Sequence, residues 1–159
     1  MKIPRKRNVT IKVVIATKKY RISAHSIEKI ARVTLTRCGI RSGLLNIYLV
    51  GNRTIRRLNK TYKRRNAATD VLAFPIGEEI PTRSHGMVCL MGEVVISLDQ
   101  AKVQAGRFHT TFRQEVILYV IHGILHILGY DDIKNKDRQR MEKKQHELLA
   151  AITRRVKRT

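Results

Sequence analysis

Two histidines inside an apolar stretch have the residue type and spacing for chemistry. Between Val116 and Leu128 every residue is apolar or glycine except Tyr119, His122 and His126. Residues four apart on a helix lie on one face with Cβ atoms about 5–6 Å apart, so both imidazoles could hold one metal ion at about 2.0–2.1 Å. The alternative is a pair of hydrogen-bonded core histidines. Burying a ring without a partner costs roughly 1–3 kcal/mol, and a shared metal would satisfy both rings.

Further donors follow the predicted helix. Gly129 is a helix stop, and Asp131 and Asp132 come directly after it in the next turn. A metal bound by two helical nitrogens needs a third ligand from such a turn, and a carboxylate oxygen is an accepted zinc ligand. His146, on the next predicted helix, is a competing third ligand.

Three segments, in order, resemble the YbeY family of bacterial metal-dependent endoribonucleases. HGILHILGYDD (122–132) is similar to the family signature HGxLHLxGYDH. LNKTYKRRNAATDVLAFP (58–75) resembles a segment of the form Asn-x-x-Tyr-Arg followed by Asp-x-Pro-Thr-Asp-Val-Leu-Ser-Phe-Pro. MGEVVIS (91–97) resembles the strand Leu-Gly-Asp-Ile-Val-Ile-Ser. Three ordered matches are far more specific than one.

The resemblance implies the site residues. It implies a zinc ion held by His122, His126 and Asp132, with Asp132 standing where the family has a third histidine. An oxygen in the ligand set makes other divalent ions possible. Lys63 replaces the family's arginine and keeps the charge but loses the bidentate fork, so either Lys63 or the adjacent Arg64 would act on the phosphate as the catalytic cation.

The resemblance also implies a function. It is a single-strand-specific endoribonuclease that matures the 3′ end of the small-subunit ribosomal RNA and serves ribosome biogenesis and quality control. The implied partners are ribosomal RNA and the small ribosomal subunit, with ribosomal proteins or a GTPase assembly factor as further candidates. The attacking nucleophile, water or the RNA's own 2′-hydroxyl, stays open.

Two other functions are compatible with the histidine pair. One is a non-catalytic ribosome-assembly factor with a structural metal. The other is a metallopeptidase-like hydrolase. The peptidase motif HExxH places a general-base glutamate directly after the first histidine, where this chain has Gly123.

The net charge points to a polyanionic partner. The 159 residues include 33 Lys and Arg against 12 Asp and Glu, a formal charge of +21. Six cations and no acid lie between Arg56 and Arg65, which favours phosphate contact over a merely solvated helix face. Because aromatic residues make up only 5% of the chain, backbone charge is a better candidate handle than base stacking.

Cysteine usage and hydropathy indicate the cytoplasm. Cys38 and Cys89 form no CxxC pair, which argues against a disulfide framework or a thiolate zinc site. The opening MKIPRKRNVTIKVVIA is interrupted by Lys12 and lacks a small-x-small cleavage site, so a signal peptide is not expected. The run from Val116 to Leu128 is shorter than the roughly 18 apolar residues that a membrane span needs.

The predicted elements indicate an α+β fold, arranged as an α/β sandwich. We expect one compact domain over residues 1–159, with a small mixed sheet of about four strands backed by about five helices. The central, buried helix carries the candidate metal site. Thr111 and Gln114 predict a capping box at its start.

The sequence also predicts four local features. Asn52 should cap the second helix, and Tyr62 should face inward from it. A strand over 70–74 should end at Pro75, and 77–86 should form an exposed loop.

Overall fold

The computed structural model describes residues 8–83 and 86–156, and within them four strands alternate with five helices. The elements are β1 (Val9–Ile15), α1 (Ala24–Arg37), β2 (Gly43–Val50), α2 (Asn52–Lys63), β3 (Val71–Thr82), β4 (Gly86–Ser97), α3 (Leu98–Arg107), α4 (Phe112–Ile127) and α5 (Asn135–Val156). The predicted fold class is confirmed.

The strands form one mixed sheet in the order β1-β2-β4-β3. β1 and β4 both pair with β2 in parallel, and β3 pairs antiparallel with β4. Because side chains alternate between the faces of a strand, Leu45, Ile47 and Leu49 of β2 point to one face and Tyr48 to the other. The sheet therefore has two faces with different coverings.

One face, called here the four-helix face, packs against α1, α3, α4 and α5. Its core includes Ile47 and Leu49 of β2, Ile96 of β4 and Ile121 of α4, all at 0% exposure. The other face, called here the α2 face, packs only against α2 among the described helices. Its buried cluster is Val50, Ile55, Leu72 and Val95.

The end of β3 differs from the prediction. The strand continues through Pro75 to Thr82, with a register shift between Pro75 and Glu78, so most of the predicted loop over 77–86 is a β-hairpin with β4. Ser84, which the prediction placed in this loop, lies outside the described residues. β3 is an edge strand, and an edge strand tolerates a proline because its outer N–H has no ladder partner to lose.

The start and outer face of α2 also differ from the prediction. The N-cap is Gly51, and Asn52 is the first helical residue. The Asp99 carboxylate accepts the Asn52 backbone N–H at 2.8 Å, so a side chain from another helix supplies the cap. Tyr62 is 63% exposed and does not face inward. It lies edge-on to Phe74 with ring centroids 5.2 Å apart.

Among the described residues, no helix has the length and apolar character needed to cross a membrane.

Candidate metal centre

Helix α4 holds the two histidines at the border of the core, where both are partly exposed. It begins at the predicted capping box, in which the Thr111 hydroxyl accepts the Gln114 N–H and the Gln114 side chain accepts the Thr111 N–H. Gly123 lets the helix approach the sheet closely, because a Cβ there would overlap the Val94 Cγ1 atom of β4. The sheet thus fixes the segment of helix that carries His122 and His126.

The side chains of His122, His126 and Asp132 converge at the end of α4. The two Nε2 atoms are 3.0 Å apart. The Asp132 Oδ2 atom lies 3.8 Å from the Nε2 of His122 and 3.7 Å from that of His126. One ligand atom from each residue lies within 4.8 Å of the other two. The three side chains are 26–44% exposed, so the group opens to solvent.

The other nitrogen of each ring is held by hydrogen bonding. His126 Nδ1 donates to the Tyr130 carbonyl at 3.1 Å, and His122 Nδ1 donates to the Gln145 side-chain oxygen at 2.9 Å. Burial, and after it the neighbouring His122, lowers the pKa of His126 below its ordinary value. With Nδ1 of each ring engaged in this way, the two Nε2 atoms face each other and are left for a shared ligand.

This arrangement fits a metal ion. Two nitrogen lone pairs facing each other repel unless a cation lies between them. Ligands about 2.0–2.1 Å from a tetrahedral ion are about 3.3 Å apart, and the three donor separations of 3.0–3.8 Å bracket that value. Two imidazoles and one carboxylate also form an accepted zinc ligand set.

The turn after α4 explains why Asp132 rather than Asp131 faces the histidines. Gly129 has φ +93° and Tyr130 N–H returns to the Leu125 carbonyl, which closes the helix. The Asp131 carboxylate accepts the backbone N–H groups of Asp132 and Ile133 at 2.7 and 3.1 Å. Asp131 therefore holds the turn, and Asp132 is left to face the rings.

Helix α5 contributes a residue that the sequence analysis missed. His146 is exposed and does not belong to the group of donors; its neighbour Gln145 contacts His122 instead. Gln145 lies in line with the buried residues Met141, Leu148 and Ile152. A single polar residue within that apolar stripe was the signal that could have identified it.

Lys63 and Arg64 lie at the end of α2. The Lys63 Nζ atom is 5.9 Å from the centroid of the Phe74 ring, a side chain of the α2 face. Arg64 is the helix C-cap, with φ +56° and an exposed side chain. Both residues thus belong to the helix that covers the α2 face, whereas the histidines lie on the four-helix face. Their catalytic role stays a prediction.

The cations of α2 form a surface groove of about 670 Å³. Arg53, Arg56, Arg57 and Lys60 line it together with Asn52 and residues 66–68. Among the described residues, none that lines this groove is acidic, so the charged side chains of its lining are all positive. It has the charge that a phosphate backbone requires.

A mixed four-stranded sheet with a histidine-pair helix on its covered face defines a small α+β protein with a candidate metal centre. A family model described as Endoribonuclease YbeY matches residues 10–153. This chain belongs to that family.

Individual relatives agree. The chain is 39% identical over 129 residues to the Endoribonuclease YbeY of Aquifex aeolicus, covering 81% of this chain and 83% of that protein. It is 34% identical to the Endoribonuclease YbeY of Bacillus subtilis, covering 67% and 71%. The solution structure of a Thermotoga maritima protein superposes with a TM-score of 0.60 at 26% identity, covering 90% of this chain and 89% of that one.

Proposed function

We propose that this protein is a metal-dependent, single-strand-directed endoribonuclease that acts in maturation of the small-subunit ribosomal RNA. The observation that carries the proposal is the pair of Nε2 atoms 3.0 Å apart with a carboxylate beside them, in a family of endoribonucleases. The charge of +21 supports a polyanionic substrate. Ribosomal RNA, the small subunit, ribosomal proteins or a GTPase assembly factor as partners, and a cytoplasmic location, belong to the same proposal.

His122, His126 and Asp132 would hold the ion, zinc or another divalent metal. When bound, such an ion polarises a phosphate oxygen or lowers the pKa of a water molecule towards about 7. The protein's own contribution is orientation. The Tyr130 carbonyl and the Gln145 side chain accept hydrogen bonds from the Nδ1 atoms of the two rings and so hold the rings in place. The Nε2 atoms are then already oriented to bind an ion.

The cations of α2 would bind the substrate. Arg53, Arg56, Arg57 and Lys60 present four positive charges along one groove, which suits successive phosphates of a single strand. Lys63 and Arg64 extend this positive surface at the helix end. They would stabilise charge on a phosphate rather than read a base.

A peptidase function is disfavoured by packing as well as by sequence. The position after the first histidine is Gly123, which faces Val94 of the sheet with no room for even a Cβ atom. A general-base glutamate therefore has no place there. A non-catalytic assembly factor with a structural metal is the alternative that experiment must separate.

Substitution of His122 by Ala tests the proposal. Cleavage of a labelled ribosomal RNA precursor should fall on the order of 1,000-fold or more because loss of a ligand removes the metal's charge stabilisation, worth several kcal/mol. RNA affinity should change less than about twofold because the phosphates are bound elsewhere. Elemental analysis should show loss of the bound metal.

His146→Ala is the matched control, because His146 is an exposed histidine outside the donor group. It should keep cleavage, RNA affinity and metal content. If the His122→Ala protein cleaves RNA at the wild-type rate, the metal has no part in the mechanism. RNA binding without cleavage in the wild type would favour the assembly factor, and cleavage of casein would favour the peptidase.

A further inference from the structure

A cavity of about 470 Å³ opens on the α2 face, away from the candidate metal centre. Tyr48, Tyr62 and Phe74 line it, so two of the chain's five tyrosines and one of its three phenylalanines meet here. The low aromatic content of the whole chain therefore conceals a local concentration. Aromatic rings in an open cavity on a basic protein are a stacking surface for a flat ligand.

The rings differ in how firmly they are held. Tyr48 is half-buried on the central strand β2, and Phe74 is half-buried on β3. Tyr62 comes from α2 and lies edge-on to Phe74 at a 66° interplanar angle, with 63% of its surface exposed. The cavity thus has two rings fixed by the sheet and one exposed ring at its mouth.

Glu93 provides a carboxylate in the lining of this cavity. The Asn46 side-chain N–H and the Tyr48 hydroxyl both donate to its Oε1 atom, at 3.3 and 3.4 Å. Burial, together with the adjacent Glu93 carboxylate, raises the pKa of Tyr48, which keeps the phenol protonated and able to donate. Among the described residues no hydrogen bond to Oε2 is found, so this oxygen can accept from a ligand.

We propose that this cavity binds one base of single-stranded RNA, and that it prefers a base with an exocyclic amino group. The base would stack on the aromatic rings while Glu93 accepts the amino N–H. A carboxylate accepts a hydrogen bond from the N4 amino group of cytosine. At the same position uracil has O4, which is itself an acceptor and cannot donate to the carboxylate. The inference rests on the proposed function, for which it supplies a base preference.

The surroundings favour a nucleotide over a neutral aromatic ligand. The Lys63 Nζ atom is 5.9 Å from the centroid of the Phe74 ring, so a cation lies beside a ring of the cavity and could pair with a phosphate of the bound strand. The cationic groove lined by Arg53, Arg56, Arg57 and Lys60 belongs to the same helix as Tyr62. A strand whose phosphates follow α2 could therefore place one base in the cavity.

Binding of fluorescently labelled hexacytidylate and hexauridylate, measured by anisotropy with a chelator present, tests the preference without cleavage. The two oligomers have equal charge and similar stacking area, so they differ mainly at the Watson–Crick edge, where cytosine has the N4 amino group and an N3 acceptor and uracil has O4 and N3–H. The wild type should bind hexacytidylate about tenfold more tightly, because hydrogen bonds to charged groups contribute more than neutral ones. The nearly isosteric Glu93→Gln should reduce that ratio to about 1.

Tyr62→Ala tests the stacking. It should weaken binding of both oligomers by about five- to tenfold. Phe108→Ala is the matched control, because Phe108 is an aromatic residue of almost the same exposure, 62%, outside the cavity. Its affinity for both oligomers should equal that of the wild type.

An unchanged ratio in Glu93→Gln, or Tyr62→Ala and Phe108→Ala proteins that bind alike, would overturn the proposal. An arginine-rich peptide that binds the wild type but not Glu93→Gln, with the oligomer preference unaltered, would assign the cavity to a basic protein instead. Cleavage of the RNA precursor is measured separately with metal. If the protein cleaves RNA but shows no base preference, only the proposal that the cavity binds a base is rejected. If it shows the base preference but does not cleave RNA, only the proposed nuclease function is rejected.

Discussion

The two faces of the sheet differ in how tightly they are packed. On the four-helix face, Val94 lies so close to Gly123 of α4 that no side chain fits at position 123. This contact fixes the part of the helix that carries the two histidines. On the α2 face one helix covers part of the sheet, and Tyr62 remains 63% exposed. Metal ligands need fixed positions, whereas a flexible single strand needs accessible charge and stacking surface. In the proposed function, the chemistry takes place on the four-helix face and substrate recognition on the α2 face.

Gln145→Ala should produce the largest effect of the substitutions that leave the three donors intact. It removes the acceptor of the His122 Nδ1 proton, so the ring is no longer held. Metal affinity should fall about 10- to 100-fold, as is usual when such an outer hydrogen bond to a ligand is removed. Titration of the metal-free protein with zinc or cobalt against a chelating indicator measures this directly.

Gln145→Glu is the informative partner variant. A carboxylate accepts the same proton, so metal affinity should return to within a few-fold of the wild type. Equal affinities for Gln145→Ala and the wild type would show that packing alone orients His122. The dense packing of the four-helix face would then be sufficient to hold this ligand without the hydrogen bond from α5.

Gly123→Ala tests the dense packing itself. Alanine favours a helix by about 1 kcal/mol over glycine, but the added Cβ collides with Val94 on a central strand that cannot move away. Overpacking typically costs about 1–3 kcal/mol or more, so we expect a net loss of about 1–2 kcal/mol in the free energy of unfolding. Urea denaturation measures it.

Tyr62→Ala gives the same measurement on the open face. It removes an exposed ring and one edge-on contact, so the free energy of unfolding should change by less than about 1 kcal/mol. A larger loss here than in Gly123→Ala would reverse the comparison between the faces.

The sequence predicted the dense face better than the open face. His122 and His126 are four residues apart on one helix, and the capping box at Thr111 and Gln114 is equally local, so short-range rules reach them. Asp132 follows these histidines after only a short turn, so its position near them is also set by residues close in the sequence. The apolar stripe of α5 marks Gln145 as an inward-facing polar residue, but its contact with His122 depends on how α5 docks on α4.

The open face depends on strand register instead. Tyr48 and Glu93 meet because β2 pairs with β4 in parallel, and Phe74 lies opposite Glu93 because β3 pairs antiparallel. Neither pairing can be read from sequence spacing. The same applies to Tyr62, which was expected to face inward from helical periodicity but lies at the edge of a cover only one helix wide.

The cations at the end of α2 test whether the open face binds phosphates. Replacing Lys63, Arg64 and Arg65 by Ala should flatten the dependence of log affinity on log salt. The slope should change by about 0.7 for each phosphate that is no longer neutralised, or about 2 for all three cations. Anisotropy titrations of single-stranded RNA at several salt concentrations give the slope.

Lys102, Arg107 and Arg113, exposed cations of α3 and α4, provide the control. Their replacement by Ala changes the net charge equally but should leave most of the slope unaltered. If both triple variants change the slope alike, RNA is held by net charge and not by the α2 surface.

Asp99 joins the two faces, and its contacts predict a small effect on stability that depends on pH. From α3 its carboxylate accepts the Asn52 N–H at the start of α2, the Lys19 ammonium at 2.8 Å and the Tyr20 hydroxyl at 2.6 Å. These hydrogen bonds, with that from Lys19 the strongest, lower the pKa of Asp99 from 3.8 to about 2.

A lowered pKa means that the folded state favours the carboxylate. The resulting stability is therefore complete above about pH 4 and is lost as the pH falls towards about 2. Because Lys19 is 66% exposed and solvent screens the pair, we expect a stabilisation of about 1 kcal/mol rather than the full value of the pKa shift.

Asp99→Asn should be less stable than the wild type by that amount at pH 6, with the difference shrinking between pH 4 and 2. Glu78→Gln, at an exposed position of β3, is the carboxylate-to-amide control for the same urea denaturation. A pH-independent difference for Asp99→Asn would mean that the shape of this side chain, and not its charge, joins α2 to the four-helix face.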